Sequence, residues 1–343
     1  MPQLHPFDRR ALLAAGAALT VPRLARGQAA LPRVRFTMDW AFQGPSAYAL
    51  LARERGFFRD AGVDVALSRG FGSGRTPIDV AAGTFDMGQG DINPTIKFMA
   101  ENPGSGLVVV AITGDRSGLC VTSLAEGPVR APRDLEGRTL CAPDVDAGRQ
   151  MFPAFARLVG IDLARVNWMT VRAELREPML VQGRADAITG IVTSTALSLK
   201  ALGVPESRQR VMLYRDHGLD LYATCWMTTR AFLEREPAAV RATVAALMRA
   251  QVATWRRPEE AMAALRAAEP LSEIPIEMER YRFNAEQHLV TDNVRANGLG
   301  AVDPARLQRG IEAVEVAFGL PHRLRADAVY TDAYLPPRAA RML

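Results

Sequence analysis

Five carboxylates stand where strand and helix signals meet in this chain: Asp39, Asp91, Asp146, Glu177 and Asp216. A carboxylate accepts hydrogen bonds and repels anions, so such a set suits an amine-bearing ligand. Trp40, with Tyr222 as a second ring, offers a face for a flat heterocycle. Gln43, Ser46 and Ser73 add neutral donors and acceptors, and Gly90 precedes Asp91 at a strand end. Ser46, Ser73, Thr113 and Arg149 keep an anionic ligand open, because sulfonates prefer hydroxyls, amide hydrogens and arginine.

These residues have structural readings as well. Trp40 would serve equally in packing, Glu177 could complement the start of the helix that Pro178 opens, and Asp146 is placed to cap a helix. His217 reads as a hydrogen-bonding residue of a chain crossing. Its distance from His5, His288 and His322 argues against a metal site, and no cofactor is expected.

The element that must position the first of these residues is Met38–Gly62. A strand closing at Trp40 breaks at Gln43-Gly44-Pro45-Ser46 and re-forms as a helix, with Pro45 in its first turn. In an open α/β sheet, ligands lie beyond the carboxyl ends of the strands, against helix N-termini. Asp39, Trp40, Gln43 and Ser46 occupy that place. The glycines of Arg69-Gly70-Phe71-Gly72-Ser73-Gly74 permit close backbone approach to a ligand, but the loop is not a dinucleotide fingerprint, because Arg75 stands where the third glycine would be.

Further strands are expected at Val63–Leu67, Phe85–Gly90, Leu107–Thr113, Leu119–Ser123, Arg138–Ala142, Val166–Val171, Ala187–Ile191, Val211–Tyr214 and Leu221–Thr228. Asn93 is the expected cap of the helix that Pro94 opens, which leaves the Asp91 carboxylate unassigned. Two crossings between lobes are read near 114–123 and 211–228. After Arg230 the pattern changes to long amphipathic helices, one carrying Val240, Val244 and Leu247 and another capped by Asp303.

The chain has 343 residues, too many for one ordinary core, and 48% of them are apolar. Its formal charge of +5 comes largely from Arg9, Arg10, Arg23 and Arg26 in the first 27 residues, and no basic run is interleaved with aromatics, so nucleic acid is not an expected partner. Asp8-Arg9-Arg10-Ala11-Leu12-Leu13 and the short apolar run to Val21 resemble a twin-arginine export signal over residues 1–29. No cysteine near the cleavage region would carry a lipid. Cys120, Cys141 and Cys225 are dispersed; the first and last are the pair to test for a disulfide, and buried free thiols are the preferred reading.

The order MDW, QG, GFFRDAGVDV, GSG and AAGTFDMGQGD over residues 38–91, then APRDLEGRTL at 131–140, REPML at 176–180 and GRADAITG at 183–190, resembles the substrate-binding proteins of ABC importers. The branch is that of thiamine pyrimidine precursors, nitrate, taurine and sulfonates. The resemblance implies an α/β fold of type II, with two lobes, each a mixed sheet flanked by helices, and two crossing strands as hinge. Lobe one would be 30–116 with 219–343, and lobe two 117–218. A soluble periplasmic monomer is expected, presenting a small molecule to a membrane permease. The first ligand expected is an aminopyrimidine thiamine precursor; a sulfonate, nitrate or carboxylate is the alternative. A receptor feeding a sensor is a further alternative. Enzymes of pyrimidine or menaquinone synthesis share the fold, but the cysteine-rich motif of the former is missing and no Ser/His/Asp or Cys/His set has interpretable spacing, so no catalysis is expected.

Overall fold

The computed structural model describes residues 30–321 and 323–343, with Met1 and Gln3; the expected export signal otherwise lies outside the described residues. From Leu31 onward the chain is one compact unit containing two five-stranded sheets. β1 (Arg33–Thr37), β2 (Asp64–Ser68), β3 (Met87–Asp91) and β4 (Leu107–Ile112) build the first sheet. The chain then crosses to β5 (Leu119–Leu124), β6 (Thr139–Ala142), β7 (Asn167–Thr170), β8 (Ala187–Ile191) and β9 (Gln209–Leu213) of the second. β10 (Thr224–Thr229) returns to the first.

The strand orders are β2-β1-β3-β10-β4 and β7-β6-β8-β5-β9, the same pattern twice. In each sheet the first three strands are parallel and the fourth runs against them. That antiparallel strand is in both cases the first one after a crossing, so each lobe is stitched by a strand that enters directly from the other. The expected two-lobed mixed-sheet fold is therefore the one observed, with crossings at 113–118 and 214–223.

Local sequence explains most of the elements. β4 is buried along its whole length, as its unbroken Leu-Val-Val-Val-Ala-Ile run requires of a strand covered on both faces. Asp146 caps the helix Ala147–Val159 by accepting the Arg149 amide at 2.8 Å, and Asp303 caps Pro304–Phe318 in the same way. Gly160 and Gly319 end these helices with positive φ. At the helix Ile92–Glu101, Asp91 takes the capping role expected of Asn93: its Oδ1 accepts from the Asn93 amide at 2.9 Å and from Asn93 Nδ2 at 2.7 Å. The strand expected from Leu221 starts only at Thr224, because the Leu221 and Ala223 carbonyls accept from Ser117 and Ile92 instead of a ladder partner.

The core is divided. One cluster fills the first sheet's outer face against the helices Ala47–Glu54, Pro237–Arg256 and Pro258–Ala268, around the fully buried Trp226. A second joins both lobes, with Ile92, Ile96 and Ile311 of one and Met151, Phe152 and Phe155 of the other. Phe155 stacks on Tyr214 at 4.4 Å between ring centres. A small third cluster around Leu180, Ile188 and Leu199 backs the second sheet. Cys120, Cys141 and Cys225 are buried free thiols.

Candidate functional site

The parallel strands of both sheets point their carboxyl ends at one cavity of about 130 Å³ between the lobes. Asp39 and Trp40 follow β1, Gln89 and Asp91 lie at the end of β3, Asp146 and Ala147 follow β6, and Ile191 ends β8 with Thr193 and Ser194 just after it. This is where an α/β sheet binds its ligand, because helix starts leave unpaired amides there. Helices from the C-terminal part close the remaining side with Gln251, Thr254, Tyr281, Asn284 and His288.

On the first lobe the groups form one chain of hydrogen bonds. Trp226 Nε1 donates to the Tyr48 hydroxyl at 3.1 Å, Tyr48 to Gln89 Oε1 at 2.5 Å, and Gln89 Nε2 to Asp39 Oδ1 at 2.8 Å. Ser73 Oγ donates to the other Asp39 oxygen at 2.8 Å. Burial pushes the Asp39 carboxyl up, against these two donors. Burial likewise raises Asp91, to about 7, although the Asn93 hydrogen bonds hold its charged form, and Asp39 and Asp146 push it further up. Tyr48 is raised by burial as well.

On the second lobe a fully buried arginine organises the wall. Arg176 Nη1 donates to Asp146 Oδ2 at 3.1 Å, Nη2 to Glu177 Oε1 at 2.6 Å and Nη2 to Ser194 Oγ at 3.2 Å. Burial works against its charge, but Glu177 and Asp146 keep the guanidinium ionised and raise its pKa. The same guanidinium lies 4.9 Å from the centre of the Trp40 ring, so the two lobes meet through a cation over an aromatic face. Thr189 completes Asp146 by donating to Oδ1 at 3.0 Å.

A second interlobe contact flanks the cavity. Arg280, on the helix Ile274–Asn284, donates from Nη1 to the Thr193 and Ser194 carbonyls at 2.5 and 3.0 Å. Glu277 holds Arg280 Nε at 3.1 Å and accepts the Gly44 amide at 2.6 Å, tying the Gln43–Ser46 turn to the same latch.

Of the residues expected at the site, Asp39, Trp40, Gln43, Ser46, Ser73, Asp91 and Asp146 line the cavity. Gly90, Glu177, Asp216 and Tyr222 do not. Gly90 faces away between Gln89 and Asp91, toward Met227, by the alternation of a strand. Glu177 is turned behind Arg176. The Asp216 side chain is 64% exposed beside Arg215, and the Tyr222 ring lies under Arg306 while its hydroxyl accepts the Asp303 amide. His217 packs edge-on against Phe155.

Sequence reasoning missed Arg176, Tyr48, Gln89, Gln251, Thr254, Tyr281 and His288. A signal existed for some: Arg176 opens the REPML run, and Gln251 and Thr254 interrupt the apolar stripe of their helix at a spacing of one turn. Gln89 and His288 carried no local signal. Buried against Arg215 and Arg116, His288 is pushed down to about 4 and is neutral near pH 7.

No curated protein matches the sequence. Among solved structures, a Bordetella bronchiseptica protein superposes with a TM-score of 0.72 at 18% identity, over 88% of this chain and 95% of its own. The alkanesulfonate-binding protein of Xanthomonas axonopodis, bound to MOPS, gives 0.66 at 14% identity over 87% and 98%. The periplasmic nitrate-binding protein of Synechocystis gives 0.65 at 13% over 89% and 87%. These likenesses establish the fold as that of periplasmic binding proteins. A family model described as NMT1/THI5 like matches residues 45–261, from the turn at Pro45 through β2 to β10 and beyond, and the chain belongs to that family.

Proposed function

We propose that this protein is the solute-binding component of an ABC importer, exported to the periplasm as a monomer, holding a small molecule between its lobes without chemical change. Family membership and the fold support the general role, and sulfonate- and nitrate-binding neighbours support import. The lobes divide as 30–116 with 219–343, and 117–218, and closure presents both to the permease. Residues 1–29 act as the export signal.

The ligand is a flat, uncharged or amine-bearing ring, in the first place an aminopyrimidine precursor of thiamine. One observation carries this: the buried guanidinium of the wall, Arg176, is taken by Asp146 and Glu177, while Asp39 and Asp91 have no cation bonded to them among the described residues. A compact anion placed there meets two acidic groups with no cation of their own; an exocyclic amine meets acceptors. The cavity, near the ~150 Å³ that holds one benzene ring, sets the scale of the ligand at a single ring. A sulfonate or carboxylate is the second reading, favoured by Arg116, which stands exposed at the rim.

Calorimetric titration of the mature protein with a hydroxymethyl aminopyrimidine, an alkanesulfonate and nitrate decides between them. The aminopyrimidine is expected to bind and Trp40→Ala to weaken it by about tenfold, the worth of one aromatic contact. Binding of the sulfonate or nitrate alone would overturn the ligand class and keep the importer role. No heat with any of the three would overturn both ligand classes and leave the importer role to the family and the fold.

A further inference from the structure

Among the described residues, six buried side-chain polar atoms have no hydrogen-bond partner: Gln209 Oε1, Gln251 Oε1, Thr254 Oγ1, Tyr281 OH, His288 Nε2 and Arg306 Nε. Four of them, Gln251, Thr254, Tyr281 and His288, belong to residues lining the cavity. These four residues are 7%, 1%, 5% and 4% exposed, so none of them reaches bulk solvent to any extent. Orphaned polar groups are rare in protein interiors because each costs its desolvation in full. A concentration on one wall of one cavity marks where a partner arrives.

We propose that Gln251, Thr254, Tyr281 and His288 are the specificity-determining contacts for the polar edge of the ligand, an uncharged ring compound. The proposal rests on the binding role given above and names residues that role did not use. Gln251 Oε1 only accepts, so the ligand must bring an N–H or O–H to it. The Thr254 and Tyr281 hydroxyls each donate or accept, and the neutral His288 ring supplies Nε2, its Nδ1 being engaged at 3.2 Å with Arg215 and with the Arg116 carbonyl. No member of the set carries charge, so it discriminates by hydrogen-bond pattern; a ligand lacking the matching donor leaves the amide oxygen unpaired and is rejected strongly.

The placement of the four supports this. Gln251 and Thr254 share one face of the helix Pro237–Arg256, while Tyr281 and His288 come from the helix Ile274–Asn284 and the π-helical turn Ala285–Leu289. A π turn inside a helical stretch is often found at functional sites, where it re-aims a side chain. Tyr281 and His288 also lie beyond residues 45–261, the part matched by the family model.

The double variant Thr254→Val with Tyr281→Phe removes two hydroxyls at nearly constant shape. It is expected to leave the melting temperature of the free protein unchanged or raised, and to lower affinity for the hydroxymethyl aminopyrimidine about a hundredfold, with Gln251→Leu adding a similar loss. A double variant that binds as the wild type does would overturn the proposal and leave the importer role intact. So would a lowered melting temperature of the free double variant, since the hydroxyls would then be structural. If the wild type binds only the sulfonate or nitrate, equal losses in the variants uphold these contacts while the proposed ligand class falls. If it binds none of the three, the melting temperature decides: a fall overturns the proposal, and an unchanged or raised value, the mark of hydroxyls the fold does not use, upholds it.

Discussion

Asp91 and His288 face the same cavity, and folding shifts them in opposite directions along the pH axis. Asp91 rises to about 7 on burial, from the ordinary carboxyl value of about 4. Between these values the folded chain holds a proton that the unfolded chain has lost, so this group's contribution to stability falls as pH rises through the window. His288 drops to about 4, from the ordinary value of about 6.5. Here the unfolded chain holds the extra proton, and stability rises with pH. The two slopes, each about 1.4 kcal/mol per pH unit, oppose one another between pH ~4 and ~6.5. Asp91→Asn, which keeps a capping oxygen, is expected to steepen the rise of stability with pH relative to wild type, and His288→Gln to turn it toward a fall. Urea unfolding across that range checks both, and curves that stay parallel to wild type would show that neither group carries the shift.

At the scale of elements, two glycines let a helix and a strand touch. A Cβ on Gly148 would lie 2.4 Å from the Gly190 nitrogen, and one on Gly190 would meet Thr195 Cγ2 at 2.6 Å and Arg176 Nη1 at 2.7 Å. This contact seats the start of the helix Ala147–Val159 on β8 and so brings its cap, Asp146, onto Arg176. Gly148→Ala is expected to cost about 1 to 3 kcal/mol, the range for overpacking a filled interior, and to weaken ligand binding through displacement of Asp146. Gly104→Ala, where a Cβ meets nothing within 4 Å, is the control. Equal denaturation midpoints for the two variants would refute the close-approach account.

For the whole molecule, the question is what holds the lobes together before ligand arrives. Arg280 spans from a C-terminal helix to the carbonyls of Thr193 and Ser194, and Arg176 spans from the second lobe to Trp40. Removing Arg280 alone would leave Glu277 as a buried unpaired charge, costing about 3 to 5 kcal/mol and confusing opening with unfolding. Arg280→Met combined with Glu277→Gln avoids that. The double variant is expected to keep its melting temperature within a few degrees, to show a larger radius of gyration in solution scattering, and to bind about tenfold more weakly, because less of the population is closed. An unchanged radius and affinity would assign closure to the apolar contacts between the lobes instead.

What the sequence determined alone is local. Asp146 and Asp303 cap the helices expected of them, Leu107–Ile112 is a strand buried on both faces, and the strand and helix alternation places Asp39, Trp40, Gln43 and Ser46 at a cavity edge. Caps and periodicity act over a few residues, so they can be read in order along the chain. The family was legible for a related reason, since its motifs sit at strand-to-helix turns in a set order. The tertiary structure decided which polar groups are spent inside the protein and which are left for a ligand. Glu177 looked available until Arg176 folded against it, and Tyr222 until Arg306 covered it. Gln251, Tyr281 and His288 gain their meaning only when helices from the far end of the chain close over turns near residue 40. Hydrogen-bond satisfaction is a property of three-dimensional neighbours, and most of these neighbours lie far apart along the chain.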